Sequence, residues 1–178
     1  MEKIELKYRA LPHAGINKAG DCGPACIAGI MGKSVKEIYD LFGKEVNGLC
    51  YDWAVKFLYR NKIYYENHLP SDNYVDENPQ WFTFGKPSWW NFIKWFEQSK
   101  SRMKAGLVGL AQVNMNGNAH NDEYTDHWVL IYGFEQKGEN AADKLLLISC
   151  PTKGEFKVEV KTFLRQYGGY NTIWCEGL

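Results

Sequence analysis

Apolar positions recur at helical spacing in the first half of the chain and fall into strand-like runs in the second. Residues 22–32 are small or apolar nearly all round (Ala25, Cys26, Ile27, Ala28, Ile30), which predicts a buried helix ending near Gly32. Ser34-Val35-Lys36-Glu37 reads as a capping box. Ile38, Tyr39, Leu41 and Phe42 then repeat at helical spacing up to Gly43. Trp53, Ala54, Phe57 and Leu58 predict a third helix over 51–61. Ser88 is placed to cap a fourth through Met103, with Trp89, Phe92, Ile93 and Phe96 as its buried stripe. Strands are expected at 106–115, 127–134, 144–150, 155–160 and 172–175, joined by hairpin-like connections at 135–143 and 151–154, with a short helix over 160–167. Residues 1–10 alternate weakly, as a short edge strand does. The stretch 61–87 has three prolines and a polar patch, and reads as an irregular excursion with a short strand at 81–84. Helices first and an antiparallel sheet second predict one α+β domain over 1–178, the helices packed on one face of the sheet.

The chain has 178 residues and zero formal net charge, so composition offers no electrostatic case for nucleic acid. No apolar run approaches membrane-spanning length, and the charged N-terminus lacks an apolar signal core. A cytoplasmic protein is expected, with leaderless secretion as the alternative; oligomeric state is not legible. The five cysteines (22, 26, 50, 150 and 175) are scattered and odd in number, against a disulfide framework and in favour of at least one free thiol.

One segment carries candidate chemistry. In Gly20-Asp21-Cys22-Gly23-Pro24, the glycines permit a tight path and Pro24 suits a first helical turn. A thiol at that position meets the positive end of the helix macrodipole, which favours thiolate, and the first-turn N–H groups are suited to a developing oxyanion. Asp21 is the expected N-cap. The competing reading of Cys22 is a small core residue. Among four histidines, His127 opens the apolar run His-Trp-Val-Leu-Ile-Tyr-Gly-Phe, a place from which a ring faces a cleft while its neighbours anchor it. His13, His68 and His120 fall in expected loops and read as solvated.

Asp-Cys-Gly-Pro-Ala-Cys, His-Trp-Val-Leu-Ile-Tyr-Gly-Phe and Leu-Leu-Ile-Ser-Cys-Pro-Thr-Lys-Gly together resemble the papain-like peptidases that cut double-glycine leaders from bacteriocin precursors, and their stand-alone relatives. The likeness covers roughly residues 16–30 and 107–174. It implies Cys22 as nucleophile, His127 as general base and acid, a peptide or protein substrate and no cofactor. Two positions depart from the family pattern. The Gln expected six residues before the nucleophile is Ile16 here, with Asn17 the neighbouring amide that stands in as oxyanion donor beside the Cys22 N–H. The Asp expected before Pro151 is Cys150, which takes the orienting position. A neutral thiol is a weak acceptor there. Asp126 is next to His127, but adjacent strand residues point to opposite faces.

The expected function is a cysteine hydrolase of amide or peptide bonds. Two alternatives remain: a weakly active or inactive binding module on the same scaffold, motivated by the missing Asp and Gln, and a transglutaminase-like acyltransferase. Asn114, Asn116 and Asn118 have the spacing of the first ligands of a calcium loop, but Ala119 and Thr125 occupy its glycine and glutamate positions. His120, Asp122, Glu123 and Asp126 lack a scaffold that fixes ligand spacing, so no metal is expected.

Overall fold

The computed structural model describes residues 1–12, 20–43, 48–68, 89–114 and 127–177. In chain order the elements are β1 (Glu2–Glu5), α1 (Cys22–Met31), α2 (Val35–Phe42), α3 (Tyr51–Arg60), β2 (Tyr65–His68), α4 (Trp89–Lys104), β3 (Val108–Val113), β4 (His127–Gln136), β5 (Lys144–Cys150), β6 (Gly154–Glu159), α5 (Val160–Arg165) and β7 (Thr172–Cys175). The strands form one seven-stranded sheet in the order β2-β7-β3-β4-β5-β6, and every pairing is antiparallel. β4 is shared along one edge: its first half pairs with β3 and its second half with β1.

Local sequence accounts for most of these boundaries. Ser34 and Glu37 form both halves of the capping box that starts α2. α1 ends where Gly32 turns left-handed, a conformation open to glycine at little steric cost. Two elements depart from expectation. The first residues of the expected excursion form β2, which pairs with β7 from Tyr65↔Cys175 to His68↔Thr172. The sequence Tyr-Glu-Asn-His has no apolar alternation to announce it; edge pairing with β7 makes it a strand. In α4 the fully buried face includes Trp95 beside Phe92 and Phe96, while Ile93 is only half-buried. The buried stripe is therefore rotated from the expected one. The expected strand at 81–84, the Ser88 cap, and most of the 114–126 loop lie outside the described residues.

Successive residues of β4 alternate between two cores. Trp128, Leu130 and Tyr132 join α1, α2 and α3 in one, and Val129 and Ile131 join α4 and α5 in the other. The sheet is covered on both faces, which is why β4 reads as a continuous apolar run. The expectation of helices on a single face thus holds for α1–α3 only. On the second face, Trp95 packs between Phe163 and Trp174, with ring centroids 6.1 and 6.5 Å away. On the first, the N-terminal arm crosses α1. The Leu11 N–H donates to the Ala25 carbonyl at 3.2 Å, and Arg9 lies so close to Gly29 that a Cβ there would overlap its carbonyl.

Candidate functional site

Cys22 is the first residue of α1 and is 5% exposed. Asp21 occupies the N-cap position, but its side chain makes no capping hydrogen bond. Its backbone is helical rather than extended, and a capping oxygen reaches the first-turn N–H groups from an extended residue. The Asp21 carboxylate is instead buried and accepts the Tyr39 hydroxyl at 2.6 Å, joining the start of α1 to α2. The expected Asp21 cap is therefore replaced by a tertiary contact.

His127 is the first residue of β4 and Cys150 the last of β5. The register pairs Leu130 with Ser149, so Cys150 falls level with Val129, on the side of the sheet that His127 shares. The His127 Nε2 lies 3.2 Å from the Cys150 Sγ. Thr152 Oγ1 is 3.3 Å from the same sulfur, and the Lys153 N–H donates to it at 3.3 Å. Three polar groups thus converge on one sulfur: a ring from the neighbouring strand and two groups from the turn after β5.

The electrostatics follow from this geometry. Burial disfavours a charged His127 ring, but the interactions of the ring with the Cys150 and Cys22 sulfurs outweigh it and bring the ring up to about 9. Burial likewise disfavours a Cys150 thiolate. The His127 ring, the Thr152 hydroxyl and the Lys153 and Thr152 N–H groups overcome it and bring the thiol down to about 6. Cys26, one helical turn below Cys22, is held well above the ordinary thiol range by its burial and by the charges of Cys22 and Cys150. His127 is therefore bracketed by two thiols, from α1 and β5, far apart in sequence.

A packing wedge fixes the distance between the two strand-borne groups and α1. Trp128, next to His127, donates its Nε1–H to the Leu49 carbonyl at 2.7 Å. The Leu49 side chain sits on Gly23, next to Cys22, so tightly that a Cβ at Gly23 would come within 2.6 Å of the Leu49 Cβ. Gly23 thus permits the close approach, and Leu49 links the residue after Cys22 to the residue after His127.

Of the residues expected at the site, the structure brings together Cys22, His127 and Cys150. Asn17 and Asp126 lie outside the described residues, as do His13 and His120. His68 belongs to β2 rather than to a loop. Sequence reasoning missed Thr152, Leu49 and Trp128. The only sequence signal for Thr152 is its place in the Cys-Pro-Thr turn, where hydroxyl residues are common. Nothing local signalled the Leu49 contact. Among the described residues no His, Cys, Asp and Glu group is arranged to hold a metal ion, and no helix is long and apolar enough to cross a membrane.

No protein-family model and no curated protein sequence matches this chain. Among solved structures, the chain is similar to the peptidase domain of ComA from Streptococcus, a bifunctional ABC transporter involved in a quorum-sensing pathway. The TM-score is 0.52 at 13% sequence identity, covering 96% of this chain and 99% of that one. Coverage over nearly the whole length of both chains includes the helices that precede the sheet as well as the sheet itself. The chain therefore has the α+β fold of a papain-like peptidase domain.

Proposed function

We propose that the protein is a papain-like cysteine hydrolase of peptide or amide bonds. The observation that carries this reading is the bracketing of His127 by thiols from two distant segments: the Cys150 Sγ at 3.2 Å and Cys22 at the head of α1, both of which favour the charged ring. In this reading the Cys22 thiolate, beside the positive end of α1, attacks the substrate carbonyl carbon. The Cys22 N–H holds the oxyanion, with Asn17 as its second donor. The imidazolium of His127 gives its proton to the departing amine as the tetrahedral intermediate collapses to a thioester. Neutral His127 then takes a proton from water, which attacks the thioester and releases the acid. Cys150, as thiolate, accepts the ring's other N–H and keeps the imidazole turned toward Cys22. It does the work that a carboxylate does elsewhere by holding charge rather than by being an acid in its own right.

The test is turnover of a fluorogenic peptide library by the wild type and by Cys22→Ala. Hydrolysis abolished by the substitution, with the circular dichroism spectrum retained, is the expected result. Unchanged hydrolysis refutes the assignment. The fold similarity to a peptidase domain supports the substrate class.

A further inference from the structure

After β1 the chain leaves the sheet and lies along α1 as an arm. The Leu6 N–H still donates to the Tyr132 carbonyl at 2.7 Å. Further on, the Arg9 carbonyl fills the place a Cβ on Gly29 would take, and the Leu11 N–H reaches the Ala25 carbonyl. Gly29, Ala25 and Cys22 are spaced one helical turn apart, so they form one stripe with the thiol at its head. The arm runs down that stripe toward Cys22. Its other side is held by the sheet. The Ala10 N–H donates to the Ser149 Oγ at 3.0 Å. The Arg9 guanidinium lies 3.7 Å from the Tyr132 ring centroid and pairs with Glu5 and with Glu155 of β6. Ser149 is 2% exposed and precedes Cys150, so the strand that supplies the ring's sulfur partner also anchors the arm.

We infer that Ser149 is a positioning residue of the site: by holding the arm at Ala10 it fixes how α1 is turned about its own axis, and so where Cys22 meets the His127 ring. The inference rests on the reading of Cys22 and His127 as a working pair, and adds a residue that acts on them through the arm. α1 packs on β4 and β3, and the arm joins it to β5. The Leu49 wedge bears on Gly23, about 100° round the helix from Cys22. The arm bears on the stripe of Cys22 itself. A helix held along one line can roll about it; a helix held along two cannot.

Without the Ser149 oxygen the Ala10 N–H loses its acceptor, the arm lifts, and α1 regains that roll. A side-chain atom sits about 5–6 Å from a helix axis, so a roll of about 10° carries it through about 1 Å. A displacement of that size separates a thiol from an imidazole it has to meet in hydrogen-bond geometry.

The experiment is a double-mutant cycle read at the ring. The full chain is labelled with 15N-histidine, the His127 signal is assigned by its loss in His127→Gln, and its titration midpoint is followed by NMR in the wild type, Ser149→Ala, Cys22→Ser and the double variant. Cys22→Ser is expected to lower the midpoint, because the sulfur favours the charged ring. Ser149→Ala is expected to lower it by about half a pH unit or more, and to add nothing once Cys22 is gone. Arg9→Gln loosens the same arm from the half-buried Arg9 and is expected to give the same pattern, so the cycle stands on either variant. A midpoint unmoved by both arm variants overturns the inference. An equal shift in the Cys22→Ser background also overturns it, since the effect then reaches the ring by another route. A midpoint unmoved by Cys22→Ser refutes the thiol–imidazole pair itself, and that result is visible separately from the arm variants.

Discussion

Replacing Cys150 tests the least usual feature of the site. The thiol lies at about 6 where an ordinary one lies at 9.0, a difference of roughly a thousandfold in proton affinity and about 4 kcal/mol at full strength. Burial works against this shift, and water reaching the exposed Thr152–Lys153 turn screens it, so about half is a fair allowance for the interaction the ring feels. Cys150→Ala is therefore expected to lower kcat/KM by ~30-fold, corresponding to about 2 kcal/mol. Cys150→Ser keeps a hydrogen-bonding group without the charge and is expected to fall nearly as far. Cys150→Asp restores an anion and is expected to retain activity within about threefold. The pH profile supplies a second readout. As pH falls below about 6, Cys150 takes up a proton and the ring loses its anion; as pH rises above about 9, His127 loses the proton it gives to the leaving amine. The wild-type profile is then bell-shaped with limbs near those values. In Cys150→Asp the acid limb moves down by about two pH units, toward the carboxylate range. The assay is hydrolysis of a fluorogenic peptide, paralleled by the rate of Cys22 alkylation with iodoacetamide, which needs no known substrate. A Cys150→Ala variant with unchanged rates and an unmoved acid limb refutes the reasoning.

Other positions give independent expectations. Tyr39→Phe removes the hydroxyl from the buried Asp21 carboxylate and is expected to cost about 1–3 kcal/mol, read as a lower urea midpoint; an unchanged midpoint counts against the tie between α1 and α2. Gly23→Ala drives a methyl against Leu49, costing about 1–3 kcal/mol, and shifts the wedge between Cys22 and His127. Its kcat/KM is expected to drop at least tenfold while the chain stays folded, since small misplacements of reacting groups are expensive. Trp95→Ala empties the aromatic centre of the second core and is expected to destabilise by about 3–5 kcal/mol in chemical denaturation, with the pH profile of the surviving folded fraction unmoved.

The sequence by itself determined the elements and the cast of the candidate site. Helical spacing placed α1–α4, the Ser34–Glu37 box placed a helix start, and dense apolar runs placed β4 and β5, because burial and capping are recorded in the nearest few residues. It also singled out Cys22 and His127 by their positions at the starts of elements, and the family resemblance pointed to Cys150. Partnership was decided only by tertiary structure. β2 is a strand because β7 lies beside it, not because Tyr-Glu-Asn-His prefers to be one. Covering both faces of the sheet depends on where α4 and α5 fold back, and that brings Trp95 into the core ahead of Ile93. Asp21 looked like a cap and became an acceptor for Tyr39, since its backbone is held helical. Cys150 reads from sequence as a weak neutral acceptor, yet the strand register and the turn after β5 aim three polar groups at its sulfur, and these bring its thiol down to about 6 against the opposing effect of burial. A residue's charge state is set by what surrounds it in space, and that is the part of the chemistry a linear pattern does not contain.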